Sequence, residues 1–251
     1  MTKRSTRGMA MALVLLALTA WSGVEAAEIK VLSTVGMQPA TTELFAQFER
    51  ETGHKIAVTY GIAAVLKTKF LEGAPADVLV LIGPIVEDLA KQGKVVAGSK
   101  IDVARSGVGV GVKAGAPKPD IGTPEALKAA VLAAKSVGYS KVGASGVAFA
   151  RVLERLGIAE QVQAKYKDTG GQAGEALVAG EVELAAAQIP ELMAVPGVDV
   201  VGPLPAELQT ITIFSVGLAT EAKETAAAKA LIQFLAGPAA ASVYKAKGLG
   251  G

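Results

Sequence analysis

One stretch near the start of the chain, residues 29–53, restricts the fold more than any other because it reads as a strand, a loop and a helix. The apolar run that opens it is broken at 36–39, since glycine frees the backbone and proline cannot continue a strand ladder. Leu44 and Phe48 then recur at helical spacing, which predicts a helix from about Thr41. This order leaves free backbone N–H groups at a helix N-terminus, where an anion is favoured.

Two more units of the same kind follow, at 55–71 and at 77–92. The sequence DVLVLI at 77–82 is an unbroken apolar run, as expected of a parallel strand that is buried on both faces. Strands that alternate with helices in this way are typical of a doubly wound parallel sheet.

The pattern changes at Ser106, where the sequence GVGVGV at 107–112 predicts a strand with glycine on one face. We interpret this strand as a crossover into a second lobe, and the alternating stretch at 210–219 as the return crossover. Between them, 135–156 repeats the strand–loop–helix order, with Ser140 and Ser145 in its loop.

The sequence therefore predicts an α/β protein with two doubly wound lobes that are joined by two crossover strands. Lobe 1 is expected to comprise 27–105 and 213–251, and lobe 2 to comprise 106–212. A ligand cleft is expected between the lobes, outside the carboxyl ends of their strands, and the lobes should close around the ligand.

The first 26 residues read as a cleavable secretory signal. Lys3 and Arg4 make the start basic, and the apolar run at 9–20 is too short to span a bilayer. Cleavage is expected after Ala26, which predicts a periplasmic protein.

The charge balance of the remaining chain argues against several partners. Removal of three basic and one acidic residue from totals of 25 and 23 leaves 22 of each. Nucleic acids and anionic membranes both favour a basic surface, so neither is an expected partner. The chain has no cysteine, which excludes disulfides and thiolate chemistry.

Most catalytic and cofactor signatures are missing from the sequence. No zinc spacing, phosphate-binding loop or dinucleotide fingerprint occurs, so no metal or cofactor is predicted. His54, the one histidine, is expected to be a solvated loop residue, and Asp77 is expected to cap a turn. Hydroxyl and amide groups near helix N-termini remain, in particular Thr34 and Gln188, and such neutral donors bind anions.

The chain resembles the bacterial periplasmic molybdate-binding proteins, a branch of the type 2 periplasmic binding fold. The resemblance covers about 28–248, and the opening unit, GAPAD at 73–77 and LAGPAAA at 235–241 carry it best. It implies a solute-binding protein, monomeric, that delivers a small anion to a membrane ABC permease.

This sequence departs from the family's pattern where the family binds its oxyanion. Gly36 stands in the place of a ligand-binding serine, and GIAA at 61–64 replaces a run of serines. Gln188 stands in the place of a tyrosine, while Ser145 and Gly146 match a backbone donor position. The departure favours an organic carboxylate or another larger solute over molybdate.

The expected ligand-binding residues combine these matches with the neutral donors. They are Thr34, Gly36, Met37, Tyr60, Ala63, Ala64, Ser140, Ser145, Gly146 and Gln188. No catalytic residue is assigned if the chain is a receptor.

An enzyme on the same scaffold is the alternative, because some similar proteins are periplasmic aconitate isomerases. That reaction moves a proton next to a carboxylate and needs a base and cationic clamps. The candidates are Lys67, Lys141 and Arg105 as clamps, with Tyr60 or Tyr139 as proton carrier. A scaffold without a ligand is the third alternative.

Overall fold

The computed structural model describes residues 26–250, so the signal predicted at 1–26 lies outside the described residues except for its last one. The strands are β1 Glu28–Thr34, β2 Lys55–Gly61, β3 Val78–Ile82, β4 Ile101–Lys113, β5 Val137–Tyr139, β6 Tyr166–Asp168, β7 Leu184–Gln188, β8 Val198–Pro203 and β9 Ile211–Leu218. The helices are α1 Gln38–Thr52, α2 Ala63–Leu71, α3 Gly83–Lys91, α4 Pro124–Ala133, α5 Ala144–Arg155, α6 Ala159–Gln163, α7 Ala173–Ala179, α8 Ile189–Met193, α9 Thr225–Leu235 and α10 Pro238–Ala246.

The long strand β4 belongs to both halves of the sheet. Its first half, 101–107, pairs antiparallel with β9, which continues through β3 and β1 to β2. Its second half, 108–113, pairs antiparallel with β7 and β8, and β7 continues through β5 to β6. One strand thus connects a lobe built on β1–β3 to a lobe built on β5–β7.

The buried side chains separate in the same way. One set of hydrophobic clusters consists of residues within 29–104 and 214–249, and includes Phe48, Phe214 and Tyr244. The other set draws on 108–208 and includes Phe149 and Leu184. The predicted α/β fold with two lobes is confirmed, and the predicted lobe boundaries stay a prediction.

The glycines of β4 allow α8 to pack directly on that strand. A Cβ on Gly109 would lie 2.7 Å from Ile189 Cγ1, and a Cβ on Gly111 would lie 3.1 Å from Leu192 Cδ2. Both distances are too short for an unstrained side chain. These glycines therefore fix the position of α8, which carries part of the site described below.

Several sequence-based boundaries are wrong. β4 begins six residues before the predicted start at Gly107, because its first half pairs with β9. The helix α1 begins at Gln38 after a short 3₁₀ turn, and α8 was not predicted.

The expectation for His54 is also wrong, whereas Asp77 behaves as a cap. His54 is 7 % exposed, and its Nδ1 accepts a hydrogen bond from the backbone N–H of Ala27 at 3.1 Å. The carboxylate of Asp77 accepts from the backbone N–H groups of Lys30 at 2.8 Å and Lys223 at 2.7 Å. Asp77 thereby links the segment that precedes α9 to Lys30 of β1.

Within residues 26–250, no single helix is long and apolar enough to cross a membrane. The pair α9 and α10 reaches the required length and composition together, but it bends by 58° at the junction.

Candidate functional site

A cavity of about 480 Å³ lies between the two lobes, and we call it the interlobe cavity. Lobe 1 contributes the ends of β1 and β3, the starts of α2 and α3, and β9. Lobe 2 contributes α5, the end of β7 and the start of α8. Its volume is in the range of about 300–1,000 Å³ that is usual for small-molecule sites.

Three helices of nine residues or more begin at this cavity. α2 contributes Ala63 and Ala64, α3 contributes Pro84, and α5 contributes Ala144 and Ser145. The N-cap residue of each helix makes no side-chain cap hydrogen bond. Backbone N–H groups of the first turn are therefore left for a ligand, and the helix dipoles favour one with negative charge.

Hydroxyl and amide side chains add neutral hydrogen-bonding groups. Thr34, Ser140 and Ser145 line the cavity, each at most 6 % exposed, and Ser140 Oγ already accepts from the backbone N–H of Gly143. Gln188 is 3 % exposed and donates from Nε2 to Thr212 Oγ1 at 2.8 Å.

The other polar atom of the Gln188 amide, Oε1, has no hydrogen-bond partner among the described residues. A buried amide oxygen without a partner costs free energy. If the amide were turned, the same position would hold an unpaired NH₂ group. In either orientation, Gln188 has a polar atom free for a ligand.

A carboxyl group, that of Glu191, also lines the cavity at the start of α8. Its Oε1 lies 3.2 Å from the point where a Cβ on Gly36 would be, and Phe214 Cζ lies 3.0 Å from the same point. Burial raises the pKa of Glu191 to about 8, the Glu175 carboxylate acts in the same direction, and the backbone N–H of Gln188 opposes both. Glu191 is therefore mostly protonated at neutral pH and can donate a hydrogen bond to an anion.

Arg151 is the only cationic side chain among the described residues that line the cavity. It lies on the same face of α5 as Ser145 and Ala148, because the three are spaced at intervals of three residues. It is exposed and forms no ion pair within residues 26–250. Its guanidinium is thus available to a carboxylate.

Aliphatic side chains make up much of the cavity wall. They are Val35, Ile62, Ile82, Ile85, Val142, Val147, Ile211 and Ile213. Val142, Ile211 and Ile213 are 51 %, 54 % and 44 % exposed, so they present apolar surface to the opening between the lobes. A ligand with an apolar body would cover this surface.

The structure brings six of the ten expected ligand-binding residues to this cavity. They are Thr34, Ala63, Ala64, Ser140, Ser145 and Gln188. Gly36 lies behind the wall, against Phe214 and Glu191. The space that a serine at position 36 would need is occupied by these two side chains.

The other three expected residues lie elsewhere. Met37 is fully buried in the core of lobe 1, because the 3₁₀ turn points it inward. The Tyr60 hydroxyl is 3.0 Å from Thr41 Oγ1 on α1 and does not line the cavity. Gly146 allows α5 to pack closely, since a Cβ there would lie 1.8 Å from the Ser140 carbonyl oxygen.

None of the residues proposed for an isomerase lines the interlobe cavity. Lys67 is paired with Asp88, and Tyr139 packs in the core of lobe 2, where burial raises its pKa. The backbone of Arg105 exchanges two hydrogen bonds with that of Gly250, and Lys141 is exposed. Sequence reasoning missed the two charged residues that do line it, Glu191 and Arg151.

No metal site is apparent in the described part of the chain, because no group of three or more His, Cys, Asp or Glu side chains could hold an ion there.

The family model for bacterial extracellular solute-binding proteins matches residues 29–250. The chain belongs to this family. Aconitate isomerase of a Pseudomonas species is 33 % identical over 228 residues, which is 88 % of this chain and 87 % of that protein. The molybdate-binding protein ModA of Azotobacter vinelandii is 29 % identical over 236 residues, 90 % and 91 % of the two chains.

The fold is also similar to that of a solved molybdate-binding protein. The solved structure of the periplasmic molybdate-binding protein of Azotobacter vinelandii superposes with a TM-score of 0.76 at 22 % identity, over 88 % of this chain and 98 % of that one. The resemblance to molybdate-binding proteins that the sequence indicates is thereby confirmed.

Proposed function

We propose that the protein binds a small organic carboxylate in the interlobe cavity and delivers it to an ABC importer. The observation that carries this proposal is the meeting of three uncapped helix N-termini at one cavity that also holds Arg151. Unpaired N–H groups, helix dipoles and a guanidinium all stabilise negative charge.

The aliphatic walls argue for an organic anion over an inorganic oxyanion. A tetrahedral oxyanion needs hydrogen bonds on every side, and side chains such as Ile82 and Val142 offer none. An organic anion can place its carboxylate at the helix N-termini and its carbon skeleton against the walls. Export to the periplasm by the N-terminal signal and action as a monomer complete the proposal.

The binding proposal is tested by thermal unfolding of the chain from residue 27 onward with single ligands. The panel contains citrate, cis-aconitate and trans-aconitate, and it contains molybdate, tungstate, sulfate and phosphate as the inorganic set. A ligand at a hundredfold excess over its Kd adds about 2.7 kcal/mol. For a chain of this size, that is roughly 5–10 °C in Tm.

We expect at least one carboxylate to raise Tm and the inorganic set to leave it unchanged. A rise with molybdate or tungstate alone would contradict the proposal. Delivery is tested separately, by comparing uptake of the bound carboxylate in cells with and without the protein.

Isomerisation of a bound polycarboxylate is a second candidate function. The relative named aconitate isomerase, which aligns with 88 % of this chain, favours it. The test is to incubate the protein with cis-aconitate or trans-aconitate and to separate the two acids by chromatography. Appearance of the other isomer supports this candidate, and recovery of the starting acid alone contradicts it.

A further inference from the structure

Glu191 can donate a hydrogen bond to a bound anion only while its carboxyl group is protonated. An anion site gains from donors and cations, whereas a carboxylate repels the ligand whenever it is ionised. Glu191 nevertheless lines the interlobe cavity, and it forms no ion pair among residues 26–250. A titratable group in such a position suits the transfer of protons.

A second groove, of about 830 Å³, lies on the other side of Glu191. Val35, Gly171 and Glu191 line both the interlobe cavity and this groove, so these three residues separate the two spaces. The groove also has polar walls, including Gln172 and Lys247. The Glu191 carboxyl can therefore exchange its proton with water in the groove while a ligand fills the interlobe cavity.

We propose that Glu191 is a catalytic residue that moves a proton at a carbon next to a carboxylate of the bound ligand. This inference rests on the proposed binding of an organic carboxylate and names a reaction at that site. The substrate class is a carboxylate whose neighbouring CH₂ group is also bonded to a carbon–carbon double bond.

The reaction is a shift of one proton across the double bond. The ionised Glu191 takes a proton from the CH₂ group, and the electron pair of the broken C–H bond moves into the C=C system. The far carbon of the double bond then takes a proton from Glu191 and forms a new C–H bond. Nothing is oxidised or reduced, no co-reactant is needed, and Glu191 returns to its starting form.

Other residues of the cavity can stabilise the negative charge that develops on the ligand during this proton transfer. The electron pair that leaves the C–H bond delocalises onto the neighbouring carboxylate, which donors at Ser145 and Ala64 and the Arg151 guanidinium can stabilise. A pKa of about 8 leaves roughly a tenth of Glu191 ionised at neutral pH, and a base with a pKa near the working pH is effective.

The experiment measures exchange of ligand hydrogen with solvent deuterium. The protein is incubated in D₂O with trans-aconitate or cis-aconitate, and the recovered acid is analysed by mass spectrometry and proton NMR. We expect deuterium at the CH₂ carbon with the wild type, and a rate at least about a hundredfold lower with Glu191→Gln. Glu191→Asp, which keeps a shorter carboxyl group, should restore part of the rate.

Glu160→Gln is the matched control, because Glu160 is exposed on α6 and lines neither the interlobe cavity nor the second groove. This variant should exchange within a fewfold of the wild-type rate. Thermal unfolding with each acid is measured in parallel, and Glu191→Gln should keep the ligand-induced rise in Tm.

Two results would overturn the inference while leaving the binding proposal intact. One is a wild type whose Tm rises with an aconitate but that incorporates no deuterium. The other is Glu191→Gln that exchanges at the wild-type rate. Failure of every carboxylate to raise Tm would instead remove the binding proposal, and the inference with it.

Discussion

Replacing Glu191 by glutamine should remove the loss of stability that the ionisation of this carboxyl group causes as the pH rises. The pKa of this carboxyl is about 8 in the folded protein, against an ordinary value of 4.5. The folded state therefore binds this proton more tightly than the unfolded state does. The free energy of unfolding should fall as pH rises from about 4.5 through 8, and the contribution should level off above 8.

The size of the effect follows from 1.36 kcal/mol for each pKa unit. Between about pH 6 and pH 9, the two-pKa relation gives a loss of roughly 2–3 kcal/mol for the wild type. A chain of this size changes Tm by about 2–4 °C for each kcal/mol, so the wild type should lose roughly 5–10 °C more than Glu191→Gln. Burial is the main cause of the raised pKa of Glu191, the Glu175 carboxylate raises this pKa further, and the backbone N–H of Gln188 lowers it.

The assay is calorimetric unfolding of both proteins without ligand at matched pH values. Other groups titrate equally in the two proteins, so their effects cancel in the difference. Glu160→Gln, at an exposed position on α6, serves as the control and should follow the wild type. Parallel curves for the wild type and Glu191→Gln would mean that Glu191 keeps an ordinary pKa in the folded protein.

Three further substitutions test separate parts of the account. Arg151→Gln should weaken carboxylate binding about tenfold in a calorimetric titration and leave Tm unchanged, since Arg151 is exposed; equal affinity would exclude it from the site. Asp77→Ala should lower the stability by roughly 2–4 kcal/mol in urea titrations without changing affinity, because backbone donors lose their carboxylate acceptor; an unchanged midpoint would contradict this. Gly36→Ala should cost about 1–3 kcal/mol, because its Cβ would lie 3.0 Å from the buried Phe214 ring; wild-type stability would show that the ring moves freely.

The units with a clear hydrophobic pattern could be predicted from the sequence. The apolar runs in the sequence predicted the strands β1 and β3, and the turn residues that follow strands predicted the starts of α2 and α5. These patterns placed Ala63, Ser145 and other neutral residues at the ends of strands. Within each lobe the parallel strands end on one side of the sheet, so the residues that follow them lie together on the side of that lobe that faces the cavity. Six of the ten expected residues line the cavity for this reason.

The charged residues of the site could not be predicted in the same way. Glu191 lies on α8, a helix of five residues that is too short to show a hydrophobic period. Arg151 lies two turns into α5. Its spacing places it on the same helix face as Ser145, but the sequence does not show that this face points into the cavity. Met37 and Tyr60 looked like loop and strand-end residues, but the 3₁₀ turn and a contact with Thr41 direct them away from the cavity.

Ala64→Glu tests whether a carboxylate binds where helix N-termini meet the interlobe cavity. Ala64 is exposed and is the second residue of α2, where an acidic side chain is compatible with the helix but would occupy the anion position. Ala239→Glu is the matched control, since Ala239 is exposed and is the second residue of α10, away from the cavity. The measurement is calorimetric titration of both variants and the wild type with the carboxylate that raises Tm. We predict that Ala64→Glu loses binding and that Ala239→Glu binds like the wild type. Undiminished binding by Ala64→Glu would mean that the carboxylate does not bind at these helix N-termini.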